Sequence, residues 1–318
     1  MKKLLRILLI IAGVVVLLVA AVAIYNIAAP LPTYEARDVN INVSLTSAQL
    51  AKGKLLLTEC SHCHAGENTN AFVGRELKDM AAFGTIYSAN ITQDKEDGIG
   101  NWTDGQIAYA LRTGINPDGK YLSPPMPKWH LLADADIMAI VMALRSDHPA
   151  VQPAKTDHPE MELNFLGKML TRFAFRPLDY PEAPMPVPDT NNTVELGKYL
   201  VHAKYLCFEC HSKDFSTVNY YEPEKSENFM GGGNVMSTWD GEKITTPNIT
   251  FDETGIAHYT VEDLGNAVRF GKAPDRPLIQ PMPKFTTLDD KEIEAMYAYM
   301  KTIKKIRHET PVGVHKEE

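Results

Sequence analysis

One five-residue pattern occurs twice and constrains everything around it. It reads Cys60-Ser61-His62-Cys63-His64 and, 147 residues later, Cys207-Phe208-Glu209-Cys210-His211. The chain has four cysteines, and all of them lie in these two stretches. Two thiols three positions apart can reach the two vinyl groups of one porphyrin and form thioethers. The histidine that follows is then held against one face of the iron. The pattern predicts two covalently bound haem c groups, with Cys60, Cys63, Cys207 and Cys210 as thioethers and His64 and His211 as proximal ligands. A zinc site with four thiolates, or a pair of disulfides, is the plainer alternative, but neither requires a histidine directly after both cysteine pairs.

A repeat surrounds the pair. Thr46 or Ser47 caps an opening helix that delivers Cys60, and the stretch from Asn191 opens the second copy in the same way. Both opening helices carry a Gly-Lys pair, Gly53-Lys54 and Gly197-Lys198. Glycine inside a helix costs about 1 kcal/mol against alanine, so a close crossing by another helix is expected at each. Further on, Asn90-Ile91-Thr92 matches Asn248-Ile249-Thr250. Helices start at Thr103 with Gln106 and at Thr260 with Asp263, and end at Gly114 and Gly271. Then come Pro-Met-Pro-Lys-aromatic runs at 125–129 and 281–285, and closing helices at 134–145 and 288–303, the second capped by Thr287 with Asp290. The asparagines are offset by 158 residues and the methionines by 156, against 147 for the cysteines. About eleven extra residues therefore follow the second motif, where Phe229-Met230-Gly231-Gly232-Gly233 lies. A phosphate-cradling loop would need a strand before it and a helix with Lys-Ser/Thr after it, so a flexible turn covering the second haem is expected.

An iron that only passes electrons takes a sixth ligand, and a methionine thioether there raises its potential. Met126 lies 62 residues after His64, and Met282 lies 71 after His211. A methionine more often fills a core; the repeated proline-braced context marks these two as axial ligands. Arg112, Arg269, Lys128 and Lys284 recur at matching places and suit haem propionates, with solvated surface charge the alternative for the lysines. Trp129 and Phe285 are expected to pack beside the haems. His62, His130, His148, His158, His202, His258, His308 and His315 have no repeated counterpart and read as surface or core residues. Of these, His202 is nearest in sequence to the second motif.

Residues 7–29 form an apolar run of 23 residues preceded by Lys2, Lys3 and Arg6. About 20 residues cross a bilayer core, and the positive flank stays cytoplasmic. The reading is a single-pass anchor in the cytoplasmic membrane with the bulk of the chain in the periplasm. A cleaved signal peptide, with small residues at 20–23 as its cleavage site, competes with it. The net charge of −8 and the lack of a basic stripe exclude nucleic acid as a partner. The expected organisation is an anchor at 1–30, a tether at 31–44, a helical domain at 45–150 and a Pro-rich connector at 151–192. A second helical domain at 193–308 and a polar tail at 309–318 complete it. An apolar helix at 161–173 within the connector is expected to pack between the two domains, a membrane- or partner-facing helix being the lesser alternative.

The order Cys-x-x-Cys-His, Asn-Ile-Thr and Pro-Met-Pro, with Gly98-Ile99-Gly100-Asn101-Trp102 between the last two, resembles the haem domains of membrane-bound dehydrogenase cytochrome c subunits. These are the partners of alcohol, gluconate and related sugar dehydrogenases. The resemblance covers both copies. It implies an all-α fold with two class I cytochrome c-like domains in tandem and a transmembrane helix. It also implies His/Met ligation and electron delivery from a periplasmic dehydrogenase towards the quinone pool or an oxidase. Such subunits often hold three haems; this chain has motifs for two. Rival readings are a dihaem peroxidase or a dehydrogenase of small sulfur compounds. Either needs an iron with an open position, against which two equivalent methionines stand.

Overall fold

Gly53 and Gly197 set how each half is closed. In the computed structural model, which describes residues 2–122, 126–276, 278–311 and 313–315, a side chain at Gly53 would strike the Ala139 carbonyl. One at Gly197 would strike the Ala295 carbonyl. Glycine lets two backbones touch, and the crossing expected from the sequence is made in both halves.

The chain is mostly helical with little sheet. Helix α1 (Lys2–Ala28) is long and apolar enough to cross a membrane, and its apolar side chains are exposed. In the first half, α2 (Ser47–His64) starts at a capping box in which Thr46 and Gln49 bond each other's backbone N–H. Next come α3 (Asp104–Thr113), which has the same box at Thr103 and Gln106, and α4 (Asp134–Leu144), which crosses α2 at Gly53. The connector contributes α5 (Phe165–Phe173). In the second half α6 (Thr193–Tyr199) passes through a wide π-turn, Leu200–Lys204, to the short α7 (Cys207–His211). Helices α8 (Val261–Phe270) and α9 (Asp290–Met300) follow. The last helix begins not at Thr287 but at Asp289, whose carboxylate caps Glu292 N at 2.8 Å in a full capping box. Glutamate three residues past a cap has the reach to close the box.

Each half has its own core. Leu56, Leu57, Ile107, Ile137 and Val141 lead the first; Leu200, Phe208, Met230, Ile293 and Met296 lead the second. Among the described residues two small sheets qualify the all-α expectation. Strand β1 (Gly84–Thr85) pairs antiparallel with β2 (Glu162–Leu163). Strands β3 (Val235–Ser237), β4 (Lys243–Thr245) and β5 (Val314–His315) form the other, so part of the expected polar tail is an edge strand. The tether is not loose either: Tyr34 N donates to Gly119 O at 2.8 Å, and Val39 and Ile41 pack on the first core.

The connector helix departs from its expected place. It packs on α1 and on the short turn Lys78–Phe83, not between the halves. The halves meet directly. Lys52 of α2 pairs with Glu292 of α9, and Tyr199 of α6 donates to Asp136 of α4. Asp136 and Glu292 are 156 residues apart, the same offset as the two methionines. The interface is therefore nearly two-fold, each opening helix reaching the other half's closing helix.

Candidate haem centres

The first attachment motif ends α2, which the Gly53 crossing holds; the second is the short α7, linked through the π-turn to α6, which the Gly197 crossing holds. The His64 Nδ1 lies 2.7 Å from Ala89 O, and the His211 Nδ1 lies 3.0 Å from Pro247 O. A carbonyl can only accept, so Nδ1 carries the proton and Nε2 keeps its lone pair. No hydrogen bond occupies either Nε2 among the described residues. Burial lowers both imidazole pKa values and keeps the rings neutral, the form that ligates metal.

The carbonyls are placed by a second repeated device. Asn90 Oδ1 accepts from Thr92 N at 2.9 Å, and its Nδ2 donates to Ala154 O at 2.8 Å. Asn248 Oδ1 accepts from Thr250 N at 2.9 Å, and its Nδ2 donates to Ile306 O at 2.7 Å. Both asparagines are buried. Each clasps the loop behind its histidine to the segment that follows the closing helix.

Gly74 N donates to His64 O at 2.9 Å and Gly232 N to His211 O at 2.8 Å. Both glycines have positive φ, +90° and +69°, and a side chain at either would strike backbone. Gly232 is thus the counterpart of Gly74, and the Phe229–Gly233 stretch belongs to the common unit. Phe229 and Met230 are core residues rather than a flexible cover. The eleven extra residues lie before them. That segment bears Tyr221, which contacts Asp179 of the connector (OH to Oδ2, 3.2 Å) and His130 (ring centroids 4.7 Å apart).

The other predicted residues fall as follows. Met126 packs against the first core with Cys60 and Ile91, and Met282 against the second with Cys207 and Ile249. The attachment motif, the Asn-Ile-Thr loop and the methionine of each half thus share one core. Pro125 of the first Pro-Met-Pro lies outside the described residues. Arg112 is fully buried and ion-pairs with Asp134 at 2.5 Å, also donating to His130 O at 2.8 Å. Arg269 pairs with Asp290 at 2.6 Å at the surface. In both arginines Nε is buried without a hydrogen-bond partner, a donor left over at matching positions. Lys128 is buried and Lys284 exposed, yet each runs past the matching Gly114 or Gly271 with its Cε 3.0 Å from where a Cβ would be.

No disulfide joins any of the four cysteines. Burial pushes Cys60 and Cys207 up to about 12 and raises Cys63 and Cys210 as well. Among the described residues no three His, Cys, Asp or Glu side chains converge to hold a metal ion. The donor set, two thiols beside one neutral imidazole with its Nε2 free, fits one haem in each half.

Trp129 and Phe285 differ. Phe285 is buried with its ring 4.6 Å from that of Tyr205. Trp129 touches both cores, and its Nε1 donates to Lys204 O at 3.1 Å across the interface. Next to it, Lys128 faces Glu209 inside the second motif. On the other side Thr287, just past Met282, lies beside Glu59, the residue before Cys60. Each methionine loop thus leans on the other half's attachment motif. Sequence reading missed Tyr199, Lys204, Glu209, Asp136 and Glu292; the shared 156-residue offset of the last two was the available signal. His202 is a core residue of the π-turn, its Nε2 2.6 Å from Tyr299 OH and its pKa lowered to about 4 by burial.

No family model matches the chain. Among curated proteins it is 26% identical over 264 residues to the fructose dehydrogenase cytochrome subunit of Gluconobacter japonicus, covering 78% of this chain and 51% of that protein. It is 28% identical over 225 residues to the alcohol dehydrogenase (quinone) cytochrome c subunit of Gluconobacter oxydans, covering 68% and 45%. A diheme cytochrome c-type protein of Cereibacter sphaeroides is 26% identical over 264 residues, covering 78% and 82%. The chain spans about half the length of the two dehydrogenase subunits. These two are cytochrome subunits of dehydrogenases, the type that the sequence resembles.

Proposed function

We propose that the chain is a membrane-anchored, periplasmic dihaem c-type cytochrome. It passes electrons from a dehydrogenase, or a quinol-oxidising complex, to a respiratory acceptor. The observation that carries the reading is the repeated lock on His64 and His211, a neutral imidazole with Nδ1 held by a backbone carbonyl. The two cytochrome domains of this reading are 45–150 and 193–308. Haem supplies reversible one-electron exchange at iron, and the protein sets where and at what potential. Cys60, Cys63, Cys207 and Cys210 hold the groups covalently. Met126 and Met282 complete the ligand sets, and Arg112 and Arg269 offer their spare Nε–H to propionates. The relatives named as dehydrogenase subunits support a dehydrogenase as the electron donor.

The test is spectroscopic. The purified full-length protein is expected to be red and to yield two haems per chain as the pyridine complex. Met126→Ala and Met282→Ala are each expected to lower one potential, within the roughly 0.8 V range that axial ligands span, and to admit carbon monoxide at that iron. Two unchanged potentials would remove the methionines as ligands. Peroxide or thiosulfate turnover by the unaltered protein would make it an enzyme instead of a carrier.

A further inference from the structure

Helix α5 is fastened to the end of α1. Asn26, fully buried, donates its Nδ2 to Phe165 O at 3.0 Å. Arg172 donates to Ala29 O at 2.9 Å and to Pro30 O at 3.0 Å, and its guanidinium lies 4.6 Å over the Tyr25 ring. On another side Gly167 packs so closely on the Lys78–Phe83 turn that a side chain there would strike Phe83 O. Phe165, Leu166 and Phe173 are left 50%, 48% and 50% exposed. On a helix 165 and 173 are two turns apart, so these residues share one face.

We propose that this face beds into the headgroup layer of the membrane that α1 crosses, so that the protein holds the lipid surface at two places. The inference rests on reading α1 as a membrane anchor. Continuity carries it: a helix fastened to the last turn of a spanning segment sits at the depth where that segment leaves the hydrocarbon. An apolar stripe of Phe and Leu with nearby Lys168 and Arg176 is the composition of a helix lying in that layer. With the face buried, the connector fixes the two halves against the membrane instead of letting them swing on the tether.

The test uses the full-length, haem-loaded chain, whose native thiols are consumed as thioethers, one copy per lipid nanodisc of mixed zwitterionic and anionic lipid. Nitroxide labels are placed at Phe165→Cys, Leu166→Cys and Phe173→Cys, with Leu17→Cys in α1 as the lipid reference and Glu96→Cys as the water reference. Labels on α5 are expected to be several-fold more accessible to oxygen than to a polar nickel complex, relative to the Glu96 label. If they match Glu96 while Leu17 reads as lipid, this inference fails and the anchor stands. If Leu17 also reads as water, the anchor reading falls and this one with it. Labels immobile and shielded from both reagents would mean that protein covers the face, which also overturns the proposal.

Discussion

The two halves reach the same histidine geometry by different routes. In the first, α2 runs unbroken from its cap at Thr46 to His64, and Gly53 precedes Cys60 by seven residues. In the second, Gly197 precedes Cys207 by ten. The crossing at Ala295 and the carbonyl at Pro247 leave neither end free to move, so the three surplus residues are pushed out sideways. Tyr205 N bonds back to Leu200 O at 2.9 Å, five residues earlier, and Leu206 takes a left-handed φ of 49°. Non-glycine residues rarely adopt that conformation, and its cost is accepted where surrounding packing fixes the chain. The surplus then became contact surface. It supplies the Lys204 carbonyl for Trp129 and the Lys204 ammonium, which lies 3.7 Å from Glu292. Crossing and histidine are therefore the fixed points, and the path between them is free to vary.

The comparison breaks most visibly at the arginines. Arg112→Met leaves Asp134 beside a core without its cation and is expected to cost roughly 3–5 kcal/mol of unfolding free energy. Arg269→Met, at a pair whose Asp290 side chain is 89% exposed, is expected to cost about 1 kcal/mol or less. Equal losses in denaturant titrations would show that the two ion pairs contribute alike despite their different burial.

The glycines should restore the symmetry. Gly53→Val and Gly197→Val are each expected to cost at or above the roughly 1–3 kcal/mol of an overpacked contact and to lower haem content in their own half. Unchanged haem content and stability in either would mean that the helix crossing does not position the motif.

The smallest expected difference concerns Glu59, which precedes the first motif. Burial pushes its pKa up to about 7, partly offset by Lys204 and by the Thr287 hydroxyl. A carboxyl raised in the folded state favours folding most below its unfolded pKa, so stability is expected to fall as pH rises from about 4.5 to about 7. Glu59→Gln is expected to flatten that part of the stability–pH curve, and an unaltered slope would assign the titration to another group.

Much of the site was legible because it is local. Cys-x-x-Cys-His, the glycine inside each opening helix and the Thr-x-x-Gln/Asp caps act over a few residues, and their chemistry follows from spacing. The cap of α9 was misplaced because two frames, Thr287-x-x-Asp290 and Asp289-x-x-Glu292, overlap and only packing chooses between them. The Phe229–Gly233 stretch was misread because an offset counts extra residues without locating them, although Gly74 and Gly232 share the 158-residue offset of the asparagines. The place of α5 was hidden for a different reason. Periodicity shows that a helix has an apolar face, not what lies against it. The interface was hard to read because Lys52, Tyr199, Asp136 and Glu292 are ordinary surface residue types, and only the shared offset of the two acids hinted at it.

The near two-fold contact between the halves has the form of an isologous dimer interface, in which one patch meets a copy of itself. Here both copies belong to one polypeptide, and a tether of this kind holds its ends at effective concentrations on the order of millimolar. No single contact then has to supply affinity, and matched positions are free to drift apart. That drift is visible where an ammonium meets Glu292 while a phenol meets Asp136. Within one polypeptide the two docking patches can be tuned separately.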